Sequence, residues 1–114
     1  MLIQLSVYAQ KASRIDSIQK SIKTQKQELT KAKLLNQLSV EYKNKNEYRD
    51  VIKYSNEARL LLENYISNIR NADEILEIKK VLSESYTNLG DAYLNRGDYD
   101  IALTNFNRSL QIHE

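Results

Sequence analysis

A chain of 114 residues with no proline and only two glycines has almost no means of making the tight turns that β-sandwiches and barrels require. Ordinary usage is about 5% and 7% for these two residues. The shortage therefore points to an all-α chain. The length corresponds to one domain, long enough to hide roughly two-thirds of its unfolded surface without staples. There is no Cys, so disulfides, zinc ribbons and thiol nucleophiles are excluded. The lone His113 leaves little room for metal or triad chemistry and reads as a cation near a helix C-terminus. No Gly-rich phosphate loop is present, and the serines have no His to activate them. The sequence thus predicts no catalytic residues, no metal and no cofactor.

Apolar residues recur at helical spacing almost throughout. Ile15, Ile18 and Ile22 predict a short first helix with Ser13 as N-cap. Leu34, Leu35, Leu38 and Tyr42 mark a second helix, closed at Asn44-Lys45-Asn46, where Asn tolerates a left-handed residue. Val51, Ser55, Ala58, Leu62, Tyr65 and Ile69 form one stripe on a third helix of about 22 residues. Asn71 to Glu74 supplies a cap, with Glu74 placed like the acid of a capping box. Ile75, Ile78, Leu82, Tyr86, Leu89 and Tyr93 line the fourth helix, which ends at Arg96-Gly97. Ala102, Leu103, Phe106 and Leu110 face inward on the fifth. Connections this short make consecutive helices antiparallel neighbours.

A self-similarity runs through this pattern. Tyr86-x-x-Leu89-Gly90-x-x-Tyr93, followed by Ala102-x-x-x-Phe106, resembles the tetratricopeptide repeat, with Tyr86 in place of its Trp and Glu114 in place of its Pro. An upstream copy, Leu35-x-x-Leu38-Ser39-x-x-Tyr42 and then Val51-x-x-x-Ser55-x-x-Ala58, aligns without gaps. Its small slot is Ser39 and its aromatic slot is Ser55, with Tyr54 adjacent. The small slots lie 51 residues apart, against about 34 for the standard period. The surplus lengthens the third and fourth helices. The expected divisions are a leader remnant or helix start at 1–10, an N-terminal helix at 11–29, a degenerate repeat at 30–70 and a repeat at 71–114. Gly90 and Ala102 are expected to let two helices approach closely, with Leu38, Tyr42, Ala58, Tyr86, Leu89, Tyr93 and Phe106 packing around the small slots.

The resemblance implies a right-handed α-solenoid of helix hairpins, and protein–protein recognition rather than catalysis. It also implies a concave groove faced by the first helix of each repeat. Carried over by position, the groove residues are Lys33, Asn36, Val40, Lys43 and Asn44, then Glu84, Thr87, Asp91, Leu94 and Asn95. A Lys/Asn carboxylate clamp is not reproduced, because Val40 holds a slot that needs Asn. Repeats of this kind behind a short leader resemble the N-terminal regions of bacterial envelope sensor kinases and regulators. The implied partner is a protein or peptide in the groove. The implied place is the sensing or scaffold part of a larger signalling protein.

Two further readings stay open. Residues 1–57 carry a net charge of +5 and residues 58–114 a net charge of −3. The basic part, with Lys20, Lys23, Lys26 and Lys31, could serve a nucleic-acid module, but isoleucines and no aromatic interleave it, which favours a solvated helix face. A purely structural, self-associating hairpin is the other. No polar capping helix follows Leu110-Gln111-Ile112, so Leu103 and Leu110 are expected at an exposed apolar edge that another repeat or a second copy covers. Glu74 and Glu77 read as solvated charges. MLIQLSVYAQ is too short to span a membrane. Val7-Tyr8-Ala9 reads as the end of a leader, implying export to the periplasm, or Leu2, Leu5 and Tyr8 pack as a helix start, implying a cytoplasmic chain.

Overall fold

The computed structural model describes the backbone of residues 2–113 and the side chains of residue 10 and residues 13–112. Five helices follow one another: α1 (Leu2–Thr24), α2 (Glu28–Asn44), α3 (Tyr48–Ile66), α4 (Ala72–Asn95) and α5 (Tyr99–His113). There is no strand among the described residues. Each helix packs on the next, and α2 also meets α4. The result is an elongated slab, 52 × 35 × 18 Å, in which elements touch mainly their chain neighbours, as in helical repeats.

The first helix is not short. No breaker separates residues 2 and 24, so the helix runs through Ser13, which is an interior residue and not an N-cap. The side chains of Leu2, Leu5, Val7, Tyr8, Ala9 and His113, and Glu114 altogether, lie outside the described residues. The third helix has 19 residues and stops at Ile66. Ile69 continues the apolar spacing because the following loop folds back and packs it against the core.

The two helix stops that the sequence marks are superimposable in register. Asn46 has φ 60° and Gly97 φ 84°. Glu47 N donates to Tyr42 O at 3.0 Å and Asn46 N to Lys43 O at 3.0 Å. Asp98 N donates to Tyr93 O at 2.9 Å and Gly97 N to Leu94 O at 3.0 Å. Each is a Schellman closure, and every residue of the second is its counterpart plus 51. The internal repeat is therefore present in the backbone as well as in the side-chain pattern. At the α4 start, Asn71 Oδ1 accepts from Glu74 N at 2.9 Å. Glu74 does not complete a capping box: its carboxylate accepts from the Tyr65 hydroxyl at 2.9 Å. Glu77 meets Lys33 at 2.5 Å, so neither acid is merely solvated.

The main apolar cluster joins Ala32 and Leu35 of α2, Ala58 and Leu62 of α3, and Ile78, Val81, Leu82, Tyr86 and Leu89 of α4. Helix α4 is central, buried on more than one stripe because α2, α3 and α5 all pack on it. The expected packing positions Leu38, Ser39, Ala58, Tyr86, Leu89, Gly90 and Ala102 are buried, while Tyr42, Tyr93 and Phe106 are half-buried. A Cβ on Gly90 would lie 2.6, 2.7 and 2.8 Å from three ring carbons of Phe106. The atoms nearest to Gly90 are thus those of the Phe106 ring.

In the first copy the same joint is built differently. Ser39 and Ser55, the counterparts of Gly90 and Phe106, are both 0% exposed. Ser55 Oγ donates to Ser39 Oγ at 2.9 Å, and Ser39 Oγ donates to Leu35 O at 3.1 Å. A pair of small hydroxyls replaces the glycine-and-ring pair. Tyr54 does not enter the slot; it stacks on Tyr42 with centroids 5.5 Å apart. Other buried hydroxyls join helices too: Ser83 and Ser109 Oγ atoms are 2.6 Å apart across α4 and α5, and Ser85 Oγ donates to Asn36 Oδ1 at 2.9 Å. Satisfied in this way, buried polar groups fix helix register without leaving unmet donors.

Candidate binding trough

Helices α2 and α4 run parallel, since Lys33 meets Glu77 and Lys43, ten residues on, meets Asp91 at 2.9 Å. Asn36, between these pairs, is buried and spends its amide on the joint, donating to Val81 O at 3.1 Å and accepting from Ser85. Helix α1 lies along the other side of α2, seated by the buried Ile15. Gln19 Nε2 donates to the Tyr42 hydroxyl at 3.3 Å, and Arg14 pairs with Glu41 at 3.5 Å. With α1 and α4 as walls and α2 as floor, the three helices enclose an open trough of about 700 Å³.

Arg14 and Ile18 line it from α1. Lys33, Asn36, Gln37, Val40 and Glu41 form the floor. Glu77, Lys80, Val81, Glu84 and Asn88 line it from α4. The surface combines aliphatic side chains, amides and three charges of each sign. Two of the three charge pairs are closed, Arg14–Glu41 and Lys33–Glu77. Two tyrosine hydroxyls outside the trough are shifted. Burial first, and then the neighbouring Tyr54, push the Tyr42 hydroxyl above its usual range. The hydrogen bond to Glu74 first, and then burial, push Tyr65 up.

The ten residues expected to face the groove divide. Lys33, Asn36, Val40 and Glu84 line the trough. Lys43 and Asp91 are held in their mutual pair beyond its end. Thr87 turns to α5, its Oγ1 2.9 Å from Ser109 Oγ. Asn95 donates back to Asp91 O at 2.8 Å. Asn44 and Leu94 are exposed outside the trough. The sequence reading missed Gln37, Glu41, Glu77, Lys80, Val81, Asn88 and the entire α1 wall. The spacing 77, 81, 84, 88 was the available signal, for it sets one stripe on α4. The lengthened helix moved that stripe a turn ahead of the standard repeat. The four lysines proposed for nucleic acid do not share one helix: Lys20 and Lys23 are on α1, Lys26 in the following loop, and Lys31 on α2. No helix among the described residues is long and apolar enough to cross a membrane.

A family model described as tetratricopeptide repeat matches residues 83–114, the second half of α4 and the length of α5. The match supports a tetratricopeptide repeat family, and an all-helical chain of five helices is consistent with such a repeat. Neither a curated protein nor a solved structure matches the chain.

Proposed function

We propose that the chain is a non-catalytic protein-interaction module and that the trough between α1, α2 and α4 is where it holds a polypeptide partner. Tetratricopeptide repeats generally mediate protein–protein interaction and are generally non-catalytic, which supports the class of function. The observation that carries the site is the trough itself, an open channel with amides and aliphatic groups on three rigid walls. Helices fixed by buried hydroxyl joints and cross-helix ion pairs keep it open, so a partner need not order it on binding. We place the module in the sensing or partner-binding part of a larger bacterial signalling protein, and read its arrangement as a right-handed solenoid. The resemblance of residues 32–114 to such repeat regions supports both.

A photo-crosslinking amino acid at Gln37, on the trough floor, and another at Leu60, exposed on α3, test the site in cells. A discrete polypeptide captured from Gln37 alone, and lost on Val40→Asp, is the expected result. Equal capture from both positions, or capture indifferent to Val40→Asp, would overturn the assignment. The edge at α5 supports self-association as a second contact: Leu103 is 59% and Leu110 63% exposed, on one face with Tyr99.

A further inference from the structure

Three polar side chains tie the first repeat to α4. Asn36 donates to Val81 O, Lys43 pairs with Asp91, and the Arg59 guanidinium lies 5.9 Å from the centre of the Tyr86 ring. Their counterparts in the second repeat, 51 residues on, are Thr87, Leu94 and Leu110. Thr87 is turned onto Ser109 within its own repeat, and both leucines are exposed. The corresponding face of the second repeat therefore lacks the polar tethers with which this chain seats a helix like α4. In their place it carries aliphatic and aromatic surface: Leu94 from α4, with Tyr99, Leu103 and Leu110 from α5.

We propose that this face pairs with the same face of a second copy across a two-fold axis, the two α5 helices lying antiparallel. The proposal deepens the self-association read above and does not depend on what the trough binds. Tyr99, Leu103, Phe106 and Leu110 run along one side of α5 at spacings of 4, 3 and 4, an order that reads the same in both directions. An axis between Thr104 and Asn105 sets Leu103 against Phe106 of the second copy, and Tyr99 against its Leu110. Charge does not oppose the pairing. Asp91 is held by Lys43, and Asp100 comes beside the uncharged Gln111 of the second copy. The opposite end of the slab, α1, cannot serve as the cover. Every exposed α1 side chain among the described residues is polar, so head-to-tail stacking would leave Leu103 and Leu110 against polar groups. A closed, isologous pair buries both apolar faces at once, and homodimer contacts are the more apolar class of interface.

The test uses the whole chain, whose lack of Cys lets single engineered cysteines carry spin labels without background. Sedimentation from micromolar to millimolar concentration should show a monomer–dimer equilibrium. Pulsed dipolar spectroscopy on mixed Asp100→Cys and Gln111→Cys chains should give a cross-distance shorter than either variant gives with itself. Lys20→Cys mixed with Gln111→Cys should give a longer one. Leu94→Lys with Leu110→Arg puts the charged tethers of the first repeat on this face and should weaken the dimer at least about tenfold. Both leucines are exposed, so the unfolding midpoint of the dilute double variant should not change, and a lowered midpoint would assign them to the fold and overturn the proposal. A chain that stays monomeric throughout, or a dimer indifferent to the double substitution, would overturn it as well. So would a Lys20–Gln111 distance shorter than the others, which marks head-to-tail stacking, or an Asp100–Gln111 distance longer than the self-distances. None of these outcomes touches capture at Gln37, whose failure removes the trough reading alone.

Discussion

Gly90→Ala is the smallest change that tests the joint on which the second repeat is built. In an isolated helix it would stabilise, because Ala is favoured over Gly by about 1 kcal/mol. Here the added methyl would sit 2.6 Å from Phe106 Cε1, where ordinary contact begins near 3.4 Å. The ring must therefore retreat by about 0.8 Å or the helices must part. Overpacking of this kind costs about 1–3 kcal/mol. The half-buried ring has some freedom to swing outward, so the net effect should be a destabilisation of about 0–2 kcal/mol. A bulkier Gly90→Leu has no such escape and should lie at or beyond the upper end. The decisive measurement is a cycle with Phe106→Ala, followed by urea unfolding at equal protein concentration. With the ring gone, Gly90→Ala should reverse sign and stabilise by about 0.5–1 kcal/mol. Equal effects of Gly90→Ala in the two backgrounds would show that the ring does not limit this position.

Four other expectations follow from particular residues. Ser55→Phe should destabilise by about 2 kcal/mol or more, because Ser39 and Ser55 leave no exposed space at their joint. Adding Ser39→Gly should recover much of that loss by rebuilding the Gly90–Phe106 arrangement, and thermal unfolding of the single and double variants decides it. Asn71→Ala removes the only side-chain acceptor described for Glu74 N and should cost about 1 kcal/mol. Hydrogen exchange should then rise first at the N-terminal turn of α4. Tyr65 favours its protonated form in the folded chain because it donates to Glu74. Its contribution is complete below the usual tyrosine value of about 10 and fades as pH rises through the higher folded value. Tyr65→Phe should flatten the stability curve in that alkaline range and leave its shape at neutral pH unchanged. Leu103→Glu with Leu110→Glu should abolish any concentration dependence of the sedimentation coefficient, and a persistent dependence would place self-association elsewhere.

Much of the fold was legible because this sequence leaves helices few places to stop. Among the described residues, Asn46 and Gly97 take positive φ; the sequence marks one stop by the Asn44-Lys45-Asn46 run and the other by Gly97 itself. The absence of any breaker before residue 24 equally told against a helix starting at Ser13, but a local cap signal outweighed it in the reading. Ile69 misled because apolar spacing records burial, not helicity, and a loop that folds over the core carries the same spacing. The trough was legible only in part. Positions carried over from a standard repeat located Lys33, Val40 and Glu84, but they put Thr87 and Lys43 in the groove too. Thr87 is drawn away by Ser109 and Lys43 is consumed by Asp91. Neither partner is near in sequence, so no local pattern could have revealed them.

The same lengthening that hid the trough is what makes it. Here α4 begins at Ala72, eighteen residues ahead of Gly90, and its extra turns carry Glu77, Lys80 and Val81 up beside α2. Glu77 is thereby within reach of Lys33, and Val81 supplies the carbonyl that Asn36 binds. Helix α1 then walls the opposite side. Shortening α4 to the standard length would remove those three wall residues together with two of the contacts between α2 and α4, Lys33–Glu77 and Asn36–Val81. The joint at Gly90, which lies beyond the deleted turns, does not depend on them. An internal deletion confined to the first turns of α4, closed by a loop of the present length, should therefore leave α4 and α5 paired while abolishing whatever the trough binds. A partner still bound at full affinity by that variant would have to be using the α5 edge or the outer faces of the helices.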